Sequence, residues 1–339
     1  EALGIPRSPV ADVYKLIIDD LKSAISKLPP TYPVSNKGKV TLDAAKAMLA
    51  LVYLTKSGPT YGIDGPGLGS NEFALAGTLL DEIITGNRYS LLPSYANVFS
   101  YTNENNAEIL FDIQSINTGT SANTGLGTEL PSAMYEGAYA NAVNIGFAGG
   151  VDNDAQKVPA KSLLASFEPA DIRDDFSILP SYVDQNGNLQ NRAQFVKFLD
   201  LTKRPLIRFN FPINFPILRF ADVLLMKAEA ILRGGIGTQA EADLLVKLVR
   251  DRAGLTGSVL TNVTLDQLLI ERQHEFMAEG KRWHDLVRTG QVLIVMAATD
   301  AIDDAANKQN IPTKDDIIYP IPQTQLSVSP GLYTQNTGY

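Results

Sequence analysis

The sequence predicts a mainly α-helical protein in which helix-turn-helix pairs stack on one another, with a loop-rich insert carrying short strands and a hairpin. Three observations lead there. Apolar residues recur at 3.6-residue spacing in the first and last thirds of the chain. Between about residues 87 and 215 that rhythm gives way to period-two alternation and turn signals. The helical segments also come as neighbouring pairs, the mark of a degenerate solenoid, although no strict 34-residue signature repeats. The regions are therefore 1–90 (N-terminal helices), 91–215 (insert) and 216–339 (C-terminal helices).

Taken in order, Ser8-Pro9 reads as an N-cap followed by Pro at the first helical position, and Tyr14, Ile17, Leu21, Ala24, Ile25 and Leu28 line one face until Pro29-Pro30 stops the helix. Thr41 can cap a second helix with Ala44, Ala47, Met48, Leu51 and Val52 as its stripe, small enough for close approach of the first. A third helix starts near Asn71, carries Phe73, Ala76, Leu80, Ile83 and Ile84, and ends at Gly86. In the insert, Ile109, Phe111 and Ile113 alternate with Asp112 and Gln114, a strand period. Residues 117–128 read as a solvated loop, and Asn186-Gly187 between Tyr182 and Gln190 is a hairpin signal. Helical order returns at Arg219 with Ala221, Leu224, Leu225, Ala228, Ile231 and Leu232, and Gly234-Gly235 ends it. Two further helices open on capping boxes, Thr238 with Glu241 and Thr264 with Gln267.

Composition narrows the function. The chain has 339 residues, 45% hydrophobic and 19% charged, enough for one to three folded domains. Its 29 Lys and Arg are interspersed among 37 Asp and Glu, net −8, so no basic footprint marks it as a nucleic-acid binder. Without cysteine, neither disulfides nor thiolate metal sites are available. No apolar run approaches the ~20 residues of a membrane span. The chain opens at Glu1 with no initiator Met, n-region or h-region, the expectation being a processed or trimmed chain whose true N-terminus lies elsewhere.

Catalytic motifs do not assemble. His274 and His284, the only histidines, are ten positions apart and point to different helix faces. His274-Glu275 begins a zinc motif that Ala278 leaves without its second ligand. Gly65, Gly67 and Gly69 follow no strand and read as a flexible connection rather than a dinucleotide loop. Asp184, Asn186 and Asn188 resemble a calcium loop, but Gly187 is misplaced and Phe195 stands where the bidentate Glu belongs. Asp152 and Asp154 keep an irregular calcium site open. The densest cluster is Glu271 to Gly290, ERQHEFMAEGKRWHDLVRTG, with Glu279, Arg282, Asp285 and Arg288 at i,i+3 steps. It reads as a helix end and tight turn locked by Arg–carboxylate forks, with Trp283 beneath them in the core.

That cluster resembles the C-terminal signature of the SusD/RagB family of surface nutrient-binding lipoproteins of Bacteroidetes-type outer membranes. Arg219-Phe220-Ala221-Asp222-Val223-Leu224-Leu225-Met226 with Ala228-Glu229-Ala230, and Val249-Arg250-Asp251-Arg252-Ala253-Gly254, resemble its preceding helix motifs. Tyr319-Pro320-Ile321-Pro322-Gln323 and Gln335-Asn336-Thr337-Gly338-Tyr339 resemble its end, while Lys247 and Thr337 replace the usual Asn and Pro. The resemblance implies a scaffold of TPR-like helix pairs and a non-catalytic role. It implies a lipid-anchored protein at the cell surface that binds a glycan and hands it to a SusC-like TonB-dependent transporter. It also implies that the family's first helices, signal peptide and lipidated Cys are absent from this chain. A peptide- or protein-binding adaptor of the same uptake complex is the alternative, and a hydrolase would require a carboxylate pair across a deep cleft.

The family's motifs are scaffold residues, so the site is argued from chemistry. Sugar C–H faces stack on aromatic rings while their hydroxyls need Asn, Asp or Arg. Stacking that hides ~80 Å² at ~25 cal/mol/Å² contributes ~2 kcal/mol, and two such contacts give a millimolar-range affinity. The segment Met134 to Asp154 holds Tyr135, Tyr139, Asn141, Asn144, Phe147, Asp152 and Asp154, which makes it the candidate ligand face, with Tyr61 as a second candidate.

Overall fold

The computed structural model describes residues 4–117, 126–145, 158–205, 210–303, 311–328 and 330–339. The first third forms α1 (Val10–Lys27), α2 (Leu42–Lys56) and α3 (Phe73–Thr85). Ser8 does not cap α1. Pro9 occupies the cap position, and its carbonyl accepts from the N–H groups of Asp12 and Val13. Thr41 caps α2 as expected, accepting from the Ala44 N–H at 3.3 Å. The stripe of α2 is broader than its periodicity suggests, because α2 is packed between α1 and α3. Ala44, Ala45, Ala47, Leu49, Ala50, Tyr53 and Leu54 are all buried, while Met48, Leu51 and Val52 are only half-buried. The connection after α2 is pinned rather than flexible. Leu68 and Gly69 donate to the carbonyls of Lys56 and Gly58, and a Cβ on Gly67 would stand 2.1 Å from the Pro59 carbonyl oxygen.

The insert contains β1 (Ile109–Ile113), the short helices α4 (Leu130–Ala133), α5 (Gly137–Ala142), α6 (Lys161–Leu164) and α7 (Ile172–Ser177), and β2 (Ile178–Leu179). It continues with β3 (Tyr182–Val183), β4 (Leu189–Gln190) and β5 (Gln194–Phe195), and closes with β6 (Phe215–Arg219). All strand pairs are antiparallel: β1 with β6, β2 with β5, β3 with β4. The hairpin turns at Gly187, φ +83°, and the Asp184 carboxylate accepts from the N–H groups of Asn186 and Asn188, which occupies it in the turn. In β1 the alternation is inverted. Leu110 and Asp112 face inward and Ile113 outward, because the Asn214 amide meets the Asp112 carboxylate at 3.0 Å and two register shifts rotate the strand. Tyr95, Phe99, Tyr135, Tyr139, Tyr182, Phe198 and Phe211 gather into an aromatic core beneath this region.

The last third supplies α8 (Phe220–Leu232), α9 (Gln239–Arg252), α10 (Leu265–Glu275), α11 (Arg282–Thr289), α12 (Val292–Asp303) and α13 (Gln323–Val328). Thr264 and Gln267 complete a reciprocal capping box at 2.9 and 3.3 Å. At α9 only the Thr238 half forms, because the Glu241 carboxylate turns toward Lys227 at 3.7 Å. The stack runs α1 on α2, α2 on α3, α3 on α8, and α8 on α9 and α10, so the first and last thirds share one apolar core. No helix among the described residues is long and apolar enough to cross a membrane.

Helix α8 is buried almost all round, including Asp222, Lys227 and Glu229. Each finds a partner from a distant segment: Asp222 meets Lys281 at 2.7 Å, Lys227 meets Asp81 at 2.6 Å and Glu229 meets Arg288 at 2.6 Å. Of the expected i,i+3 pairs only Asp285 with Arg288 forms. Glu279 instead takes Arg219 and Lys197, and Arg282 donates to the Leu269 carbonyl, because these side chains point into the stack. The helix end is as read: Gly290 is left-handed at φ +84°, and the Gln291 N–H closes on the Leu286 carbonyl at 2.9 Å.

Candidate functional site

The structure corrects the main aromatic candidates. Tyr135 is fully buried and Tyr139 is 4% exposed, and their rings meet edge to face at 5.3 Å inside the aromatic core. They pack the insert together because each is a large apolar ring on a segment with few other core residues. The Tyr135 hydroxyl has no hydrogen-bond partner among the described residues. Tyr135→Phe is therefore expected to hold or raise the melting temperature, since an unpaired buried hydroxyl costs about 1–3 kcal/mol. A clear drop in a thermal melt would mean that this hydroxyl has a partner. Asn141 and Asn144 are exposed on the surface beside these rings, Asn144 in a left-handed turn at φ +56°. Phe147, Asp152 and Asp154 lie outside the described residues, and with them the calcium expectation. Tyr61 is half-buried, and its hydroxyl donates to the Val287 carbonyl at 2.7 Å, tying the connection after α2 to α11. Among the described candidates, Tyr135, Tyr139, Asn141, Asn144 and Tyr61 form no open aromatic platform.

A different place has those ingredients. The connection from α1 to α2 and the segment from Arg88 to Asp112 enclose a cleft of about 460 Å³, within the usual range for ligand sites. Half-buried Tyr32, Tyr89 and Phe111 give it ring surface, and Lys37, Lys39, Asn103, Asn105 and Glu104 give it polar groups. Tyr32 follows the Pro29-Pro30 stop, and the Lys39 ammonium lies 5.9 Å from its ring centre. Tyr89 follows the end of α3, where Arg88 forks onto Asp43 at 2.5 and 2.7 Å and the Tyr89 hydroxyl sits 3.3 Å from that of Thr41. The far wall is held by side-chain amides. Asn105, left-handed at φ +51°, exchanges hydrogen bonds with Gln114 at 3.1 and 3.2 Å, and Gln114 also closes over Gly38. Asn106 donates to the carbonyls of Val98 and Asn103. The two carboxylates are engaged by one residue, Asn214, through its backbone N–H to Glu104 at 2.8 Å and its amide to Asp112. Burial pushes both carboxyls above their usual range. The cleft thus offers ring faces for stacking, ammonium groups and amides for hydroxyls.

Trp283, expected in the core, is half-buried and lines a separate cleft. His274 is buried against Phe167, and burial together with the Arg173 charge pushes it down to about 4, whereas His284 is exposed. Sequence reasoning missed Tyr32 and Tyr89. The available signal was an aromatic residue set just beyond a helix stop.

The fold is thus a helical stack with a polar, aromatic-lined surface cleft. The chain belongs to the SusD family, whose model matches residues 85–339. A SusD-like protein of Bacteroides ovatus is 29% identical over 83% of this chain and 51% of its own length, so the chain spans about half of that relative. Surface glycan-binding protein A from Bacteroides uniformis superposes with a TM-score of 0.74 at 26% identity, over 96% of this chain and 68% of that one. Surface glycan-binding protein A from Bacteroides thetaiotaomicron, solved with laminarihexaose, superposes at 0.76 and 24% identity over 95% and 70%, a likeness of fold.

Proposed function

We propose that this chain binds an oligosaccharide at the cell surface, leaves it chemically unchanged and hands it to a SusC-like TonB-dependent transporter of the outer membrane, where a lipid anchor holds the protein. The observation that carries the reading is the meeting of Tyr32, Tyr89 and Phe111 with Lys37, Lys39 and Asn103 in one open cleft. Membership of the SusD family and likeness to surface glycan-binding protein A from Bacteroides uniformis support it.

Two rings contributing ~2 kcal/mol each set the affinity in the millimolar range, suited to capture and release. Calorimetry with laminarihexaose, maltohexaose and cellohexaose is expected to detect at least one ligand. Tyr32→Ala and Tyr89→Ala should each weaken it by roughly tenfold or more, from the stacking lost. Stabilisation by a peptide set and by none of the sugars would replace this reading with the peptide-binding adaptor.

A further inference from the structure

The only tryptophan of the chain stands apart from the cleft just described. Trp283 rests partly on the cluster of Leu269, Leu286, Val287, Val292 and Ile317, and lines a second cleft of about 340 Å³ with Phe195, Gln273, Met277 and Arg282. A left-handed turn at Ala278 and Gly280 carries the chain across this place, between α10 and α11.

The rings here differ in what already occupies them. Phe276, at the back, is buried and flanked by Arg219, Arg272 and Lys281 at 4.8, 4.9 and 5.4 Å. Trp283 and Phe195 are half-buried, and among the described residues neither takes part in a ring pair or a cation–π contact. The indole N–H and the Gln273 amide likewise form no hydrogen bond among the described residues. Arg282 spends one N–H on the Leu269 carbonyl at 2.7 Å, and its other donors form no hydrogen bond among the described residues. A half-buried indole and a second half-buried ring, with an amide and a guanidinium that keep donors unspent among the described residues, match the two needs of a pyranose, a flat C–H face and equatorial hydroxyls.

We propose that the Trp283 cleft is a second sugar-stacking subsite, taking one pyranose ring of the same oligosaccharide class; this rests on the glycan-binding reading. It gives the protein two places of weak capture.

The single tryptophan makes the test direct. Calorimetry first establishes which of laminarihexaose, maltohexaose and cellohexaose binds, and that sugar is then titrated while indole emission is followed. The expected result is a saturable emission change with protection from acrylamide quenching, retained in the Tyr32→Ala/Tyr89→Ala variant. Gln273→Ala should weaken the emission-reported affinity about tenfold with an unchanged melting temperature, a readout that does not depend on Trp283 variants folding. Heat of binding with no emission change, or an emission change that Gln273→Ala leaves intact, overturns the second subsite and leaves the glycan-binding reading standing. No heat with any of the three sugars overturns both.

Discussion

Arg219→Ala is expected to lower the melting temperature by more than any surface substitution, and to reduce the yield of folded protein. The guanidinium donates to Glu108 at 2.7 Å, to Glu275 at 2.8 Å and to Glu279 at 2.8 and 3.0 Å, and lies over the rings of Phe99 and Phe276. All three carboxylates are buried. The cations that remain, Arg173, Arg252 and Lys197, are already committed to Asp171, Glu271 and these same acids. Removing one member of such a group leaves buried charge uncompensated, which costs about 3–5 kcal/mol. The matched control is Lys15→Ala, whose exposed partner Asp19 sits one helical turn away, and it should leave the melt unchanged. Equal melting temperatures for the two variants would contradict the reading of the buried lattice as the fold's electrostatic keystone.

Stability is expected to fall in two stages as pH drops. Burial and the Arg173 charge push His274 down to about 4, so between the ordinary imidazole value near 6.5 and pH 4 the unfolded chain binds a proton the folded chain does not. Stability in that window therefore rises with pH, by about 1.4 kcal/mol per unit at most. The second stage is steeper. Burial alone would raise the Glu275 carboxyl, but Arg252, Arg219 and Arg173 overcome it and hold it far below the usual range. At Glu279, Asp222 and Asp285 burial is likewise overcome, by Arg219 with Lys197, by Lys281 with Arg272, and by Arg272 with Arg288. A depressed folded pKa contributes stability above the unfolded value near 4 and loses it as pH falls toward the folded one. Four such carboxylates add at most about 5 kcal/mol per pH unit below pH 4. Melts from pH 8 to 3 should show a shallow decline below 6.5 and a steep one below 4. A melting temperature constant down to pH 3 would exclude this distribution of charge.

The sequence was most legible where the governing forces are local. Helix α3 follows its apolar spacing and stops at Gly86, and Thr264 with Gln267 forms its capping box, because each depends on residues within one or two turns. The buried charges of α8 were invisible, since Asp222, Lys227 and Glu229 acquire meaning only through Lys281, Asp81 and Arg288, far away in sequence. The same limit inverted β1, where Asn214 decides which way Asp112 faces. It also misplaced the candidate site. Tyr135 and Tyr139 sit in a stretch of small residues that resembles a surface loop, yet they complete a core with Tyr182, Phe198 and Phe211 from segments downstream. Tyr32 and Tyr89 carry no sequence signal for a ligand site beyond their place after a helix stop, because their cleft exists only once α2 brings the exits of α1 and α3 together.

The order of the helical stack governs how the chain is made. Because α3 seals against α8, its apolar face emerges from the ribosome about 135 residues before its cover, an interval of ~7–27 s at 5–20 residues per second. Throughout that interval Phe73, Leu80 and Ile83 have no native neighbour from the far side of the insert. A nascent chain in this condition carries an uncovered apolar face on α3 until translation passes Leu232, an interval in which that face is open to aggregation or to chaperone capture.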